Sequence, residues 1–306
     1  MVNFSGSSIA LSGLLHAILM VASASASGTN CSQDLNSGIS SPPSISYTNL
    51  TSKLDQILSR GYLKVGTTGD YKPFTYLVTN TTVLPNSTLT STLNTTYIGS
   101  DIILAQSLSN ALGLPYPVQF IPSTWGNLTS DITADKFDIA MGGVSATLVR
   151  SRKAFFSTAV QRVGKTGCIR CSDAQKFTDL ASIDQVGVTV VVNPGGSNQA
   201  FDEANLKQAS ILLVEDNNAV FQAVREGRAD AMISDLIEVE LQVRLHPGEL
   251  CVVNPGRPFN FEELAYMVPR DGVWKTFVDA WVHVLVGSGE WNRTLEEWMD
   301  YKWPSV

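Results

Sequence analysis

Residues 193-NPGGSN-198 follow a β-branched run, Thr189 to Val192, and precede a segment of helical character. Pro194-Gly195-Gly196 lets the backbone turn sharply, Ser197 can cap the helix, and the N–H groups of Asn198 and Gln199 are then free to meet an anion. An ordinary turn into a capped helix carries the same residues. Thr147 and Arg150 lie three apart, so on one helical turn they face the same way. An arginine fork there suits a carboxylate bidentately, although a single helical arginine is more often a solvated surface charge. Asp70, Tyr71 and Lys72 sit at a strand end in 67-TTGDYKPF-74. Asp235 follows the strand 229-ADAMIS-234, at the carboxyl edge where α/β folds bind ligands, and it would take the same place as a plain helix N-cap. These four groups together suit a small carboxylate or amino acid.

Other chemistries lack their residues. No nucleophile–His–Asp arrangement, P-loop or dinucleotide fingerprint is present, which argues against covalent catalysis and nucleotide chemistry. The three histidines, His16, His246 and His283, are scattered, and Cys168-x-x-Cys171 has no second pair to complete a zinc site, so no metal and no cofactor is implied. A thioredoxin-like role needs C-x-x-C at a strand-to-helix turn, whereas 163-VGKTGCIRCSD-173 runs from strand into loop. The formal charge is −7 with no basic cluster to offset it, which makes nucleic acid a poor partner.

The elements that must position these groups alternate. A short helix carrying Leu54, Ile57 and Leu58 stops at Gly61 and gives way to a strand. Ser100 or Asp101 caps a helix with apolar residues at 102, 105, 108 and 112. Strands are expected at 116–121, 137–141, 186–192, 210–214 and 229–233, and helices at 147–153, 199–208, 217–226 and 235–244. Such alternation predicts α/β folding with mostly parallel sheets. Trp274, Phe277 and Trp281, and then Trp291, Leu295 and Trp298, form helical stripes that belong in a core.

Residues 1–26 carry an apolar run and small residues before Ser27, the pattern of a secretory signal, without the usual basic start. Residues 27–50 are expected as a loose arm and 79–96 as a glycosylated surface insertion. Sequons at Asn30, Asn49, Asn80, Asn86, Asn94, Asn127 and Asn292 point to export through a eukaryotic secretory pathway. No later segment is apolar enough to span a bilayer, and nothing in the sequence indicates an oligomeric state.

From about Leu54 to Pro304 the chain resembles the two-lobed solute-binding proteins of family 3, the polar-amino-acid class. Within them it is similar to the periplasmic-type cyclohexadienyl dehydratases. The resemblance is carried by TTGDYKPF (67–74), Trp125 with Asn127, FDIAM (137–141), GKT (164–166), NPGGSN (193–198), RLHP (244–247), ELC (249–251) and YKWP (301–304). It implies a type II periplasmic-binding-protein-like fold: 51–158 and 258–306 form one lobe, 159–257 the other, with two crossover strands near 157–164 and 252–262. The ligand cleft would lie between them, adding Trp125 to the candidate residues. Thr147 and Arg150 would line one wall, and Ser197, Asn198 and Asp235 the other. Cys171 and Cys251 fall in segments that resemble the family's and are expected to pair; Cys31 and Cys168 are additional, and whether they pair with each other is left open.

Enzymes of this family convert prephenate or arogenate to phenylpyruvate or phenylalanine, with loss of carbon dioxide and water. The leaving hydroxyl needs a proton, and the family's acid is a glutamate where this chain has Gln199, which can donate a hydrogen bond but no proton. Thr147 likewise stands where the dehydratases tend to have asparagine, and threonine is usual in the non-catalytic binders. Two functions therefore stand side by side. One is a dehydratase using a surrogate acid such as Lys165 or Lys72; the other is a non-catalytic amino-acid or solute binder. In the first, a glutamate at 199 is expected to restore the missing acid.

Overall fold

The computed structural model describes residues 52–79 and 95–304. The expected leader, the arm, most of the 79–96 insertion, Cys31 and the sequons at Asn30, Asn49, Asn80, Asn86 and Asn94 lie outside the described residues.

Two five-stranded sheets organise the chain. The first runs Gln119–Pro122, Lys64–Thr67, Ile139–Ala140, Met267–Val268, Phe155–Phe156, with its first three strands parallel and the last two joined antiparallel. The second runs Ser210–Leu213, Thr189–Val192, Ala231–Asp235, Lys165–Arg170, Leu250–Val252. Its first three strands are parallel, and Lys165–Arg170 is antiparallel to both neighbours. The chain passes between the sheets twice, at Gln161–Val163 and Glu262–Leu264, and these two strands pair with each other. The result is a two-lobed α/β fold.

Local sequence explains the elements. The Ser52 hydroxyl accepts from the Asp55 N–H and Gly61 ends the first helix in the left-handed conformation, so Lys53–Arg60 has both caps. The Val190-Val191-Val192 run is fully buried between helices on both faces, as parallel strands require. The aromatic stripes of helices Gly272–Gly287 and Glu290–Met299 bury Trp274, Trp281, Trp291 and Leu295 against Ile57, Leu63 and Val65 of the first lobe. The last residues of the chain thereby complete the first lobe's core.

In the second lobe Cys171 and Cys251 are disulfide-bonded, closing a loop of 80 residues. A loop of that length restricts the unfolded chain by about 4 kcal/mol in the entropic account. Cys168 is a buried thiol on the strand Lys165–Arg170, where its side chain packs against Val191, Val220 and Met232.

Candidate functional site

The carboxyl ends of the central strands of both sheets point at each other, and the groups they carry meet across the gap between lobes. Tyr71, from the two-residue strand Asp70–Tyr71, donates its hydroxyl to Asp235 at 2.7 Å. Ser145 and Ser197 share a hydrogen bond at 3.0 Å, and the Asn217 amide donates to the Asp70 carbonyl at 2.9 Å. Gly195 has φ +84°, and a Cβ placed on it would come within 2.9 Å of the Gly126 backbone. Glycine at 195 therefore serves both the turn and the close approach of the two lobes.

The enclosed space is about 20 Å³ and is lined by Tyr71, Trp125, Ser145, Asn198, Asp235 and Glu238, among others. That volume holds about one water and is too small for an amino acid in this arrangement of the lobes.

Lys165 is the hub of the second wall. It is fully buried at the start of its strand. Its ammonium donates to Asp235 at 2.8 Å, Asn198 at 2.6 Å and Ser197 at 3.1 Å, and lies 3.3 Å from Glu262. Burial pulls its pKa down, but Asp235 and Glu262 outweigh this and hold it above the ordinary lysine value. An ammonium so held anchors Asp235, Asn198 and Ser197 to one point. Asp235 stands at the N-cap position of helix Leu236–Leu245, but its side chain makes no cap bond and serves Lys165 and Tyr71 instead.

Arg150 is buried, not a solvated helix residue, and its guanidinium donates to the Ser145 carbonyl at 3.0 Å. Burial lowers its pKa, with Asp235 and Glu262 acting the other way. Among the described residues its other guanidinium N–H groups make no hydrogen bond. Thr147 caps the same short helix by accepting from the Arg150 N–H at 3.3 Å, so it orients the arginine. Trp125 packs edge-on against Tyr71, with centroids 5.7 Å apart, and donates its indole N–H to Asp70 at 3.1 Å. Asp70 is thus a support for Trp125, and its pKa is raised first by burial.

Three expectations change. Ser197 is the first helical residue and Gly196 the N-cap, so the serine hydroxyl does not cap the helix but joins Lys165 and Ser145. Gln199 does not line the cavity: its carbonyl accepts from the Gly195 N–H at 2.7 Å and its amide donates to Glu203 at 2.8 Å. Lys72 faces away from the cleft. Its ammonium lies 4.1 Å from the Tyr76 ring centroid and 5.7 Å from that of Trp303, and opens onto a separate cleft of about 390 Å³ beside Arg225 and His246. Burial pushes it down to about 8, opposed by Asp216.

The sequence reading missed Ser145, Asn217, Glu238 and Glu262. Only Glu238 left a signal: it lies three residues after Asp235, on the same side of the helix's first turn.

Residues 63–301 match the bacterial extracellular solute-binding proteins of family 3. The chain belongs to this family. Among family relatives, cyclohexadienyl dehydratase of Pseudomonas aeruginosa is 46% identical over 255 residues, covering 83% of this chain and 89% of that one. The L-cystine-binding protein TcyJ of Escherichia coli is 24% identical over 190 residues, 60% of this chain and 62% of the relative. Of solved structures, an ancestral amino acid-binding protein described as a precursor of cyclohexadienyl dehydratase superposes with a TM-score of 0.69 at 30% identity. It spans 81% of this chain and all of that one.

Members of family 3 are extracellular, and among the described residues no helix is long and apolar enough to cross a membrane. These relatives are bacterial, which lends the expected eukaryotic export route no support.

Proposed function

We propose that this chain is an exported cyclohexadienyl dehydratase, closing its two lobes on prephenate or arogenate and releasing carbon dioxide and water. The observation that carries this reading is the meeting of the Lys165–Asp235 pair and the Trp125–Tyr71 aromatic wall at one cavity between the lobes, beside Ser145, whose carbonyl accepts from Arg150. The arginine would hold a carboxylate, the aromatic wall would cover the ring, and Asp235 would meet an α-amino group or, through Lys165, a keto acid. The likeness to the Pseudomonas dehydratase supports the same choice. Asn127 and Asn292 are exposed, so in a eukaryotic secretory host they would be open to glycan transfer.

A second reading, a non-catalytic amino-acid binder, is favoured by Gln199, whose amide is engaged on Gly195 and Glu203 and has no proton to give. One experiment separates them. Prephenate, arogenate, phenylalanine and polar amino acids are each added at about a hundredfold over the dissociation constant, where a true ligand stabilises by about 2.7 kcal/mol. Product formation is then followed against the spontaneous acid-promoted background. Turnover at least ~100-fold over background is expected. Tight binding of an amino acid with no turnover of either cyclohexadienyl acid would establish the binder.

A further inference from the structure

The cleft of about 390 Å³ beside Lys72 shares no lining residue with the cavity at Asp235. We propose that it is a second binding site, taking a small aromatic carboxylate between Lys72 and Trp303 of the first lobe and Arg225 and His246 of the second. The inference is independent of the reaction carried out at the first site.

The walls are apolar and come from three elements. Phe221 is buried on helix Val220–Arg225, and Leu245 is half-buried at the end of helix Leu236–Leu245. Trp303 is held edge-on to Tyr76, with centroids 5.9 Å apart, and packs on Trp298 at 5.3 Å. The cleft falls within the range of about 300–1,000 Å³ typical of small-molecule sites.

Cationic groups meet over these walls. Lys72 is 8% exposed and lines the cleft, with its ammonium over the Tyr76 and Trp303 rings. Among the described residues no carboxylate lies within ion-pair distance of that ammonium, and Asp216 acts on it only from further off. The Arg225 Nε donates to Glu249 at 2.7 Å, and its two terminal nitrogens make no hydrogen bond among the described residues. His246 completes the set, and among the described residues no aspartate or glutamate lines the cleft. A concave site with basic groups and no acid of its own concentrates anions. An inorganic anion would satisfy the charge and leave Trp303, Phe221 and Leu245 facing water. A flat ring bearing one carboxylate satisfies both.

The charge states at neutral pH agree with this. Burial pushes Lys72 down to about 8, opposed by Asp216, so at pH 7 it is mostly an ammonium. Burial and then Arg225 hold His246 below the ordinary histidine value, with Lys72 acting in the same sense and Glu249 against them. The neutral ring can still donate one N–H to a carboxylate. Burial, and then Asp216, raise the Tyr76 phenol, which stays uncharged beneath Lys72.

The test uses benzoate and the full chain with 5-fluorotryptophan at its six tryptophans. The fluorine resonance lost in Trp303→Phe reports this cleft, and the one lost in Trp125→Phe reports the cavity at Asp235. Benzoate should shift the Trp303 resonance at pH 7 with a dissociation constant of about 1 mM or tighter, a modest efficiency for so small a ligand. Arg225 is exposed and its side chain bonds only Glu249 among the described residues, so Arg225→Gln leaves the packing intact. That variant should bind benzoate about tenfold more weakly, through loss of a charge-assisted hydrogen bond. Wild-type affinity should also fall about threefold or more from pH 7 to 9, as Lys72 loses its proton. A Trp303 resonance unmoved at about 10 mM benzoate overturns the site, since weaker binding has no specific grip. Affinity unchanged by Arg225→Gln overturns it too, as does a shift confined to Trp125, which would place the carboxylate in the other cavity alone. Inorganic phosphate moving Trp303 as readily as benzoate would overturn the aromatic specificity.

Discussion

The Tyr71 hydroxyl donates to Asp235 at 2.7 Å, joining a hairpin of the first lobe to the helix start of the second. The bond closes the cleft and occupies the carboxylate that an amino group of a ligand would seek. Burial, then Asp235 and Glu238, raise the phenol well above its usual range, so it remains a donor at any working pH. A hydrogen bond to a charged group contributes about 1.5–3 kcal/mol. Tyr71→Phe should therefore lower the closed population roughly tenfold or more in the absence of ligand. Small-angle scattering should show a larger radius of gyration, and amides of the Asn193–Asn198 turn should exchange faster. An unchanged scattering profile would mean that other contacts hold the lobes together.

Arg150 is buried with one guanidinium N–H on the carbonyl of Ser145, which lines the cavity, and Asp235 and Glu262 act on its charge. Arg150→Lys keeps the charge and loses the second parallel hydrogen bond to a carboxylate. Affinity for the identified ligand, measured by calorimetry, should weaken about tenfold or more, given the strength of charge-assisted pairs. Unchanged affinity would reduce Arg150 to a support for Ser145.

What the sequence made legible follows from how far each signal travels along the chain. The alternation of strands and helices, the Gly61 stop and the strand-end position of Asp235 are local properties, and each is present in the structure. The Cys171–Cys251 bridge followed from family likeness, not from spacing. Lys72 was misplaced because the strand ends at Tyr71: the Phe74 N–H donates to the Tyr71 carbonyl, so Lys72 begins a turn and leaves the cleft that Tyr71 enters. Ser197 looked like a cap because serine before a helix commonly is one, but the turn continues one residue less, to Gly196. Glu262 was invisible for a different reason. A lone glutamate in a helix or strand resembles a solvated charge, and only the meeting of two lobes buries it.

Buried carboxyls set the stability profile. Burial is the largest cause in each case: it pushes Asp101 up to about 6, and Asp202 and Glu238 up to about 8. The folded state therefore retains protons that the unfolded state releases above its ordinary carboxylate values of 3.8 and 4.5. The stability so gained is full below those values and is lost as pH rises through 6 to 8. Near pH 8 Lys72, pushed down to about 8, begins to act in the opposite sense. Between pH 5 and 8 the Tm should fall by ~5 °C or more, since a few kcal/mol moves a domain of this size by that amount. Asp202→Asn should flatten the profile, and a Tm that instead rises over this range would contradict the protonated state of these groups.

Gln199 gives the sharpest contrast. A glutamate there would lose the donor to Glu203 and stand four residues from it on one helix, a like-charge pair. The Gly195 N–H and the positive end of the helix would nevertheless hold the new carboxylate ionised, in a half-exposed position outside the cavity. An ionised carboxylate at the loop cannot protonate a leaving group in the cleft. Gln199→Glu should therefore change turnover of prephenate or arogenate at pH 7 by no more than about threefold, well under the roughly hundredfold that a working general acid supplies. A gain of tenfold or more would show that residue 199 swings from Gly195 to the substrate when the lobes close on it. The acid would then belong to this helix N-terminus.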